Sequence, residues 1–179
     1  MDAIITHWIN AASGAAFPDA IMIAATRFGV PMMVLLVATQ WWARENRFHV
    51  RHAALSAGLS FVLGLAINQI VLLFVHRVRP YDAGITHLLI APSADWSFPS
   101  DHVTAAVAIA AAFAMQQLPR RTFGLFMLAF LIGWSRLYVG THYLTDVLGG
   151  AFTGAVAAIL IWIFYREESR LARAFTRIL

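Results

Sequence analysis

The stretch GWSRLYVGTHYLTDVLGGAFTGAVAAILIWIFY, Gly133 to Tyr165, sets a dense polar cluster directly before a long apolar run. From Thr145 to Tyr165 the only charged residue is Asp146, near the start. A run of this kind suits a helix crossing a hydrocarbon core of about 30 Å, where each backbone polar group must be bonded within its own segment. Just ahead of it stand a hydroxyl, a guanidinium, an imidazole and a carboxylate: Ser135, Arg136, His142 and Asp146. His142 and Asp146 are spaced i,i+4, so on a helix they share a face and the carboxylate can hydrogen-bond the ring. Such a bond selects one imidazole tautomer and leaves the other nitrogen free to attack. A guanidinium nearby suits a pair of phosphate oxygens.

Working outward, the same pattern of apolar runs separated by short polar loops covers the whole chain. With 179 residues, 60% of them hydrophobic, and a mean hydropathy of +0.71, the chain is too apolar for a soluble domain. The expected fold is all-α: a polytopic membrane helix bundle of about five transmembrane helices plus a short N-terminal interfacial helix, with residues 1–179 forming one membrane-embedded domain. Residues 3–16 are too short to span and read as the interfacial helix. The spans are expected at Ala20–Trp42, His52–Val75, about His102–Gln117, Phe123–Tyr138 and Thr145–Tyr165. With Asp2 ahead of any apolar core and no basic start, the first residues do not read as a signal peptide. Arg27 reads as a side chain reaching from the first span towards the interface. Asn68 and Gln69 read as amides bonding a neighbouring helix, and Gly150 and Gly154 as a close-packing pair within the bundle.

The chain has no cysteine, so no disulfide or thiolate metal site is available. All 13 basic residues are arginine. A pI near 10.3 would suggest nucleic acid in a soluble protein. Here the arginines flank membrane spans, and no nucleic-acid partner is expected. Arg44, Arg47, Arg51, Arg120, Arg121, Arg166, Arg170, Arg173 and Arg177 fall on one side of a five-span arrangement. Only Arg27, Arg77, Arg79 and Arg136 fall on the other. The positive-inside rule puts the larger set in the cytoplasm, so the polar clusters converge on the outer face.

Three segments on that face carry the chemistry. Ser135-Arg136, five residues, His142, three residues, Asp146 resembles in full the third signature of the type 2 phosphatidic acid phosphatase superfamily. Pro99-Ser100-Asp101-His102 resembles its second signature, Pro-Ser-Gly-His, with Asp in place of Gly. Arg79-Pro80 resembles the end of the first signature, Lys, six residues, Arg-Pro, although Leu72 stands where the Lys would be. Independently of the family, fixed cations stabilise the charge that spreads over three oxygens of a phosphoryl group in transfer. Arg79 and Arg136 supply these, Ser100 adds a hydroxyl, and Arg77 is a loop residue that could replace the charge of the missing Lys. His142 can attack phosphorus, Asp146 can orient it, and His102 can protonate the departing oxygen and then activate water. The resemblance implies the same roles. The scheme needs neither metal nor cofactor. Asp101 reads as a helix-start residue, Tyr81 as an interfacial aromatic, and His76 and His87 as loop residues.

Within the superfamily, the Pro-Ser-Asp-His variant and the His76-Arg77-Val78-Arg79-Pro80-Tyr81 run are similar to those of bacterial undecaprenyl diphosphate phosphatases of the bacitracin-resistance type. That resemblance implies hydrolysis of undecaprenyl diphosphate to undecaprenyl phosphate and phosphate, recycling the cell-wall carrier lipid at the outer face of the inner membrane. The implied partners are a polyprenyl diphosphate or other phospholipid substrate and the bilayer, and an oligomer stays open. Phosphatidylglycerophosphate, phosphatidate or lipid A phosphatases carry the same motifs. A non-catalytic lipid-phosphate binder or transporter is the reading of another class. Transport would call for polar residues along several spans, and here they gather at one end.

Overall fold

The computed structural model describes residues 1–167 and Thr176. The tail arginines Arg170, Arg173 and Arg177, used in the charge count above, lie outside the described residues. The described residues form six α-helices: α1 (Asp2–Asn10), α2 (Ala16–Thr39), α3 (Arg47–Leu72), α4 (Asp101–Met115), α5 (Pro119–Tyr138) and α6 (Leu144–Phe164). A single 3-10 turn, Gln40–Trp42, extends α2. The all-α expectation and the short first helix hold.

Among the described residues three helical segments are long and apolar enough to cross a membrane, Ala16–Trp42, Arg47–Leu72 and Leu144–Phe164, against the five spans expected. α4 is apolar but has only 15 residues. α5 has 20 residues but begins on Arg120 and Arg121 and ends near Arg136. Several helix starts precede their expected positions. α2 begins before Ala20, because Pro18 lies in the first turn, where a missing N–H costs no hydrogen bond. Pro119 likewise opens α5 ahead of Phe123. α3 begins before His52, and Arg51 turns back to give its Nε–H to the Trp41 carbonyl at 2.9 Å. Arg27 is exposed on α2, eleven residues past its first residue, nearer the middle of the helix than its end.

α4 occupies the centre. It packs against α3, α5 and α6, and every residue from Ala108 to Phe113 is buried. Its alanines present almost no side-chain bulk, so neighbouring backbones approach closely. The closest approach is to α6. A Cβ at Gly150 would stand 2.6 Å from the Ser100 carbonyl oxygen, and one at Gly154 would stand 2.5 Å from that of Thr104. The glycine pair therefore serves packing within the bundle. Thr104 also gives its hydroxyl hydrogen to the Gly150 carbonyl at 3.1 Å. Asn68 of α3 donates to Asp101 at 2.7 Å and to Thr104 at 2.9 Å, the interhelical role expected of a buried amide.

α1 lies across the end of the bundle where the polar loops meet. Asn10 holds it there, donating to the carbonyls of His87 at 2.9 Å and Tyr138 at 2.8 Å and accepting from the His87 N–H at 2.7 Å. The long loop between α3 and α4 closes on itself through Tyr81, whose hydroxyl donates to the Ser93 carbonyl and accepts from its N–H. Tyr81 is thus a loop staple rather than a simple interfacial aromatic.

Because backbone atoms cannot yield, Gly154→Ala is expected to destabilise the protein by about 1–3 kcal/mol. Gly124→Ala on α5, where an added Cβ meets nothing within 4 Å, should be neutral or stabilise by up to about 1 kcal/mol. Thermal unfolding of both variants in detergent micelles checks this, and equal melting temperatures would refute the close-packing account.

Candidate active site

The three polar segments meet at one end of α4, and backbone bonds hold them together. The Ser100 N–H donates to the Asp146 carbonyl at 3.1 Å, tying the start of α4 to the first turn of α6. The Ser97 N–H donates to the Arg77 carbonyl at 2.9 Å, tying the two ends of the long loop. Between α5 and α6 the chain turns through Gly140, whose φ of 81° suits glycine, and a Cβ there would stand 2.5 Å from the His87 carbonyl oxygen. His142 follows in this turn.

His142 therefore precedes α6 rather than sharing a helix with Asp146. Its Nδ1 lies 2.8 Å from the Ser97 carbonyl oxygen and 3.6 Å from the Asp146 carboxylate. A carbonyl only accepts, so Nδ1 carries the hydrogen and Nε2 carries the lone pair. Tautomer selection, expected from the carboxylate, comes instead from a backbone oxygen. Asp146 still stands beside the ring. Burial pushes the His142 pKa down to about 4; the Asp146 contact opposes this, while the charges of Arg136 and Arg79 add to it. At neutral pH the imidazole is thus the uncharged nucleophilic form.

Asp146 is fully buried and heavily bonded. It accepts from the Ser97 hydroxyl at 2.5 Å, the Tyr143 N–H at 2.8 Å and Arg77 Nη1 at 2.6 Å. Ser97 thus serves twice, its carbonyl on the imidazole and its hydroxyl on the carboxylate.

Arg79 and Arg136 are 7% and 6% exposed, and among the described residues neither forms an ion pair with a carboxylate. Arg79 is aimed by carbonyls, giving hydrogens to Asp95 at 2.8 Å and Thr141 at 3.1 Å, and its Nη1 stands 3.4 Å from His142 Nε2. Arg136 donates from Nη1 to the Thr26 hydroxyl of α2 at 2.8 Å, while its Nε–H is buried without a partner. The Ser100 hydroxyl is also buried without a partner. His102, half-buried in the first turn of α4, lies within electrostatic reach of Arg136, His142 and Arg79. Two unpaired guanidiniums, an unused N–H and an unused hydroxyl around a nucleophilic nitrogen make a receptor for a phosphoryl group.

Of the residues singled out from the sequence, His142, His102, Arg79, Arg136, Ser100 and Asp146 are brought together. Arg77 is not on the phosphate side. Its guanidinium bonds Asp146 and Asp2, each at 2.6 Å, and lies 3.8 Å over the Tyr143 ring. Those contacts occupy it, so a charge replacing the missing Lys is not supplied from there. Ser97, Thr26 and Asp2 were not foreseen. His76 is exposed and its ring lies tilted against that of Trp96, and His87 contributes through its backbone. Among the described residues no three His, Asp or Glu side chains group in a way that would hold a metal ion.

Residues 53–170 match the PAP2 superfamily. The chain is 37% identical over 163 residues to undecaprenyl-diphosphatase BcrC of Bacillus subtilis, covering 88% of this chain and 78% of that protein. It is 29% identical over 158 residues to phosphatidylglycerophosphatase B of the same organism, covering 83% of this chain and 73% of the relative. Among solved structures, the transmembrane PAP2-type phosphatidylglycerolphosphate phosphatase of Bacillus subtilis superposes with a TM-score of 0.71 at 26% identity, over 94% of this chain and 86% of that one. A family match over most of the chain, on the residues that build the pocket, makes this multi-pass membrane protein a phosphatase of the PAP2 superfamily.

Proposed function

We propose that residues 1–179 form one membrane-embedded domain that hydrolyses undecaprenyl diphosphate to undecaprenyl phosphate and phosphate. The observation that carries the reading is the pocket of unpaired buried donors around His142 Nε2, in a chain most of whose length resembles an undecaprenyl-diphosphatase. Arg79, Arg136 and Ser100 hold the terminal phosphoryl oxygens. His142 Nε2 attacks phosphorus as the bond to the bridging oxygen breaks, and His102 gives that oxygen a proton, releasing the lipid monophosphate. Asp146 lies beside the ring and balances the positive phosphoimidazole. Water then attacks phosphorus, His102 takes its proton, and phosphate leaves with His142 restored. Arg79 and Arg136 carry the same charge through both steps, so the pocket is organised before the reaction begins.

The five-span arrangement supports an outer-face site. α4, buried among α3, α5 and α6 from Ala108 to Phe113, and α5, which carries the exposed apolar side chains Phe123, Met127 and Phe130, are the remaining two spans of that arrangement. The arginines of the α2–α3 and α4–α5 connections then lie in the cytoplasm, and the pocket opens on the opposite, periplasmic side. Phosphatidylglycerophosphate is the competing substrate, favoured by the similarity to phosphatidylglycerophosphatase B.

The test is phosphate release from undecaprenyl diphosphate in detergent with excess EDTA, with phosphatidylglycerophosphate and phosphatidate as competitors. The expected outcome is EDTA-resistant turnover, preference for the diphosphate, and a loss of at least about a thousandfold in His142→Ala. Activity surviving in that variant would exclude His142 as nucleophile, and preference for a monophosphate would move the substrate to the phospholipid.

Ser97→Ala keeps the carbonyl on His142 but removes a hydrogen bond to a buried carboxylate. It should lower kcat by about 10- to 100-fold with little change in KM, since bonds to charged groups contribute about 1.5–3 kcal/mol. An unchanged kcat would show that Asp146 is held adequately without it.

A further inference from the structure

The first helix reaches the reaction centre through a single acidic side chain. Asp2 Oδ2 accepts from Arg77 Nη2 at 2.6 Å, and Arg77 Nη1 lies 2.6 Å from Asp146 Oδ1. Asp2 Oδ1 accepts from the Thr145 N–H at 3.0 Å, and Oδ2 also accepts from the Thr145 hydroxyl. Asp2 is therefore bonded both to the cation on Asp146 and to the first turn of the helix that carries Asp146. Burial favours its neutral form, but the bonds from Thr145 and Arg77 outweigh that and hold its carboxyl below the usual range.

The charge count gives this bridge its significance. Asp146 paired with Arg77 alone would make a neutral couple. His142 becomes cationic on phosphorylation, and it already faces Arg79 and Arg136. A neutral couple beside it would offer little to offset a third positive charge. With Asp2 on the far side of Arg77, the row Asp2, Arg77, Asp146 carries one net negative charge, and its member nearest His142 is Asp146.

We infer that Asp2 is a positioning residue for the reaction, acting through Arg77 to keep the Asp146 carboxylate negative and correctly placed beside His142. The inference rests on His142 being the nucleophile. Asp2 touches neither the pocket nor the reacting atoms, so its effect belongs to kcat and not to KM. Arg77, unforeseen in this role, is the element through which Asp2 acts.

The test is a double-mutant cycle on lipid-diphosphate turnover in detergent, using wild type, Asp2→Asn, Arg77→Gln and the double variant, with Asp2→Glu as the conservative rescue. Asp2→Asn keeps the shape and removes the charge. It is expected to lower kcat about tenfold with KM within about twofold, and Asp2→Glu to restore at least half of the loss. In the Arg77→Gln background Asp2→Asn should cost markedly less than in wild type, because only its bonds to Thr145 then remain. A wild-type kcat for Asp2→Asn overturns the inference. Additive losses in the double variant, or a drop in melting temperature that accounts for lost activity in all three variants, also overturn it by reducing Asp2 to a docking contact for α1. Turnover that survives His142→Ala, or is absent in wild type, instead overturns the underlying mechanism and the inference with it.

Discussion

Two buried guanidiniums without a carboxylate partner are the constraint around which this end of the molecule is built. Removing an arginine from water costs several kcal/mol unless the charge is compensated, and two of the same sign close together raise the cost. Among the described residues the direct hydrogen-bond partners of Arg79 and Arg136 are neutral oxygens, the carbonyls of Asp95, Trp96 and Thr141 for one and the Thr26 hydroxyl for the other, with the Asp101 charge acting on Arg136 from a distance. An anion entering between them would supply the opposite charge, and charge spread over several oxygens would be met by both arginines at once.

The remainder of the bundle serves to hold these groups against their own repulsion. Small residues on α4, α3 and α6 let backbones meet closely enough for Ser100 N–H to bond the Asp146 carbonyl and for Thr104 to bond the Gly150 carbonyl. Those contacts tie the second and third motifs into one rigid unit. The long α3–α4 loop then brings Arg79 and Ser97 over it, and α2 contributes Thr26 from the far side. Each cation is thus placed by a different element, and no single element can relax the repulsion by moving alone.

Much of this was legible in the sequence. The motif spacing pointed to Arg136, His142, Asp146, Ser100, His102 and Arg79, which the fold brings to one end of α4, because that spacing reflects a turn between helices that is short and local. The hydropathy pattern located the six helices of the described residues, and differences fall at their ends, where Pro18 and Pro119 start helices earlier than apolarity alone suggests. Ser97, Thr26 and Asp2 were not legible. Each is a single polar residue whose partner is far along the chain, 49 positions away for Ser97 and 110 for Thr26. Nothing local distinguishes Thr26 from any threonine in a span. Arg77 was misjudged for a related reason. Charge alone pointed it at phosphate, whereas its geometry directs it to two carboxylates, one of them on a helix that sequence reading treated as peripheral.

The side chains of the site stand at different heights on the helices that carry them. Arg136 meets α2 at Thr26, ten residues into that helix, which at 1.5 Å per residue is about 15 Å along its axis. On the opposite side Asp101, the first residue of α4, bonds Asn68, about one turn before the end of α3. α4 itself rises only about 22 Å, short of a hydrocarbon core of about 30 Å. Arg136 stands two residues before the end of α5 and Asp146 is the third residue of α6, so the site lies level with the ends of those helices while α2 rises well past it. The start of α4 turns its free N–H groups to the same end as the arginines, adding partial positive charge there. A single feature of sequence, a short alanine-rich helix at the centre, therefore sets both the density of packing and the end of the bundle at which the charged groups gather.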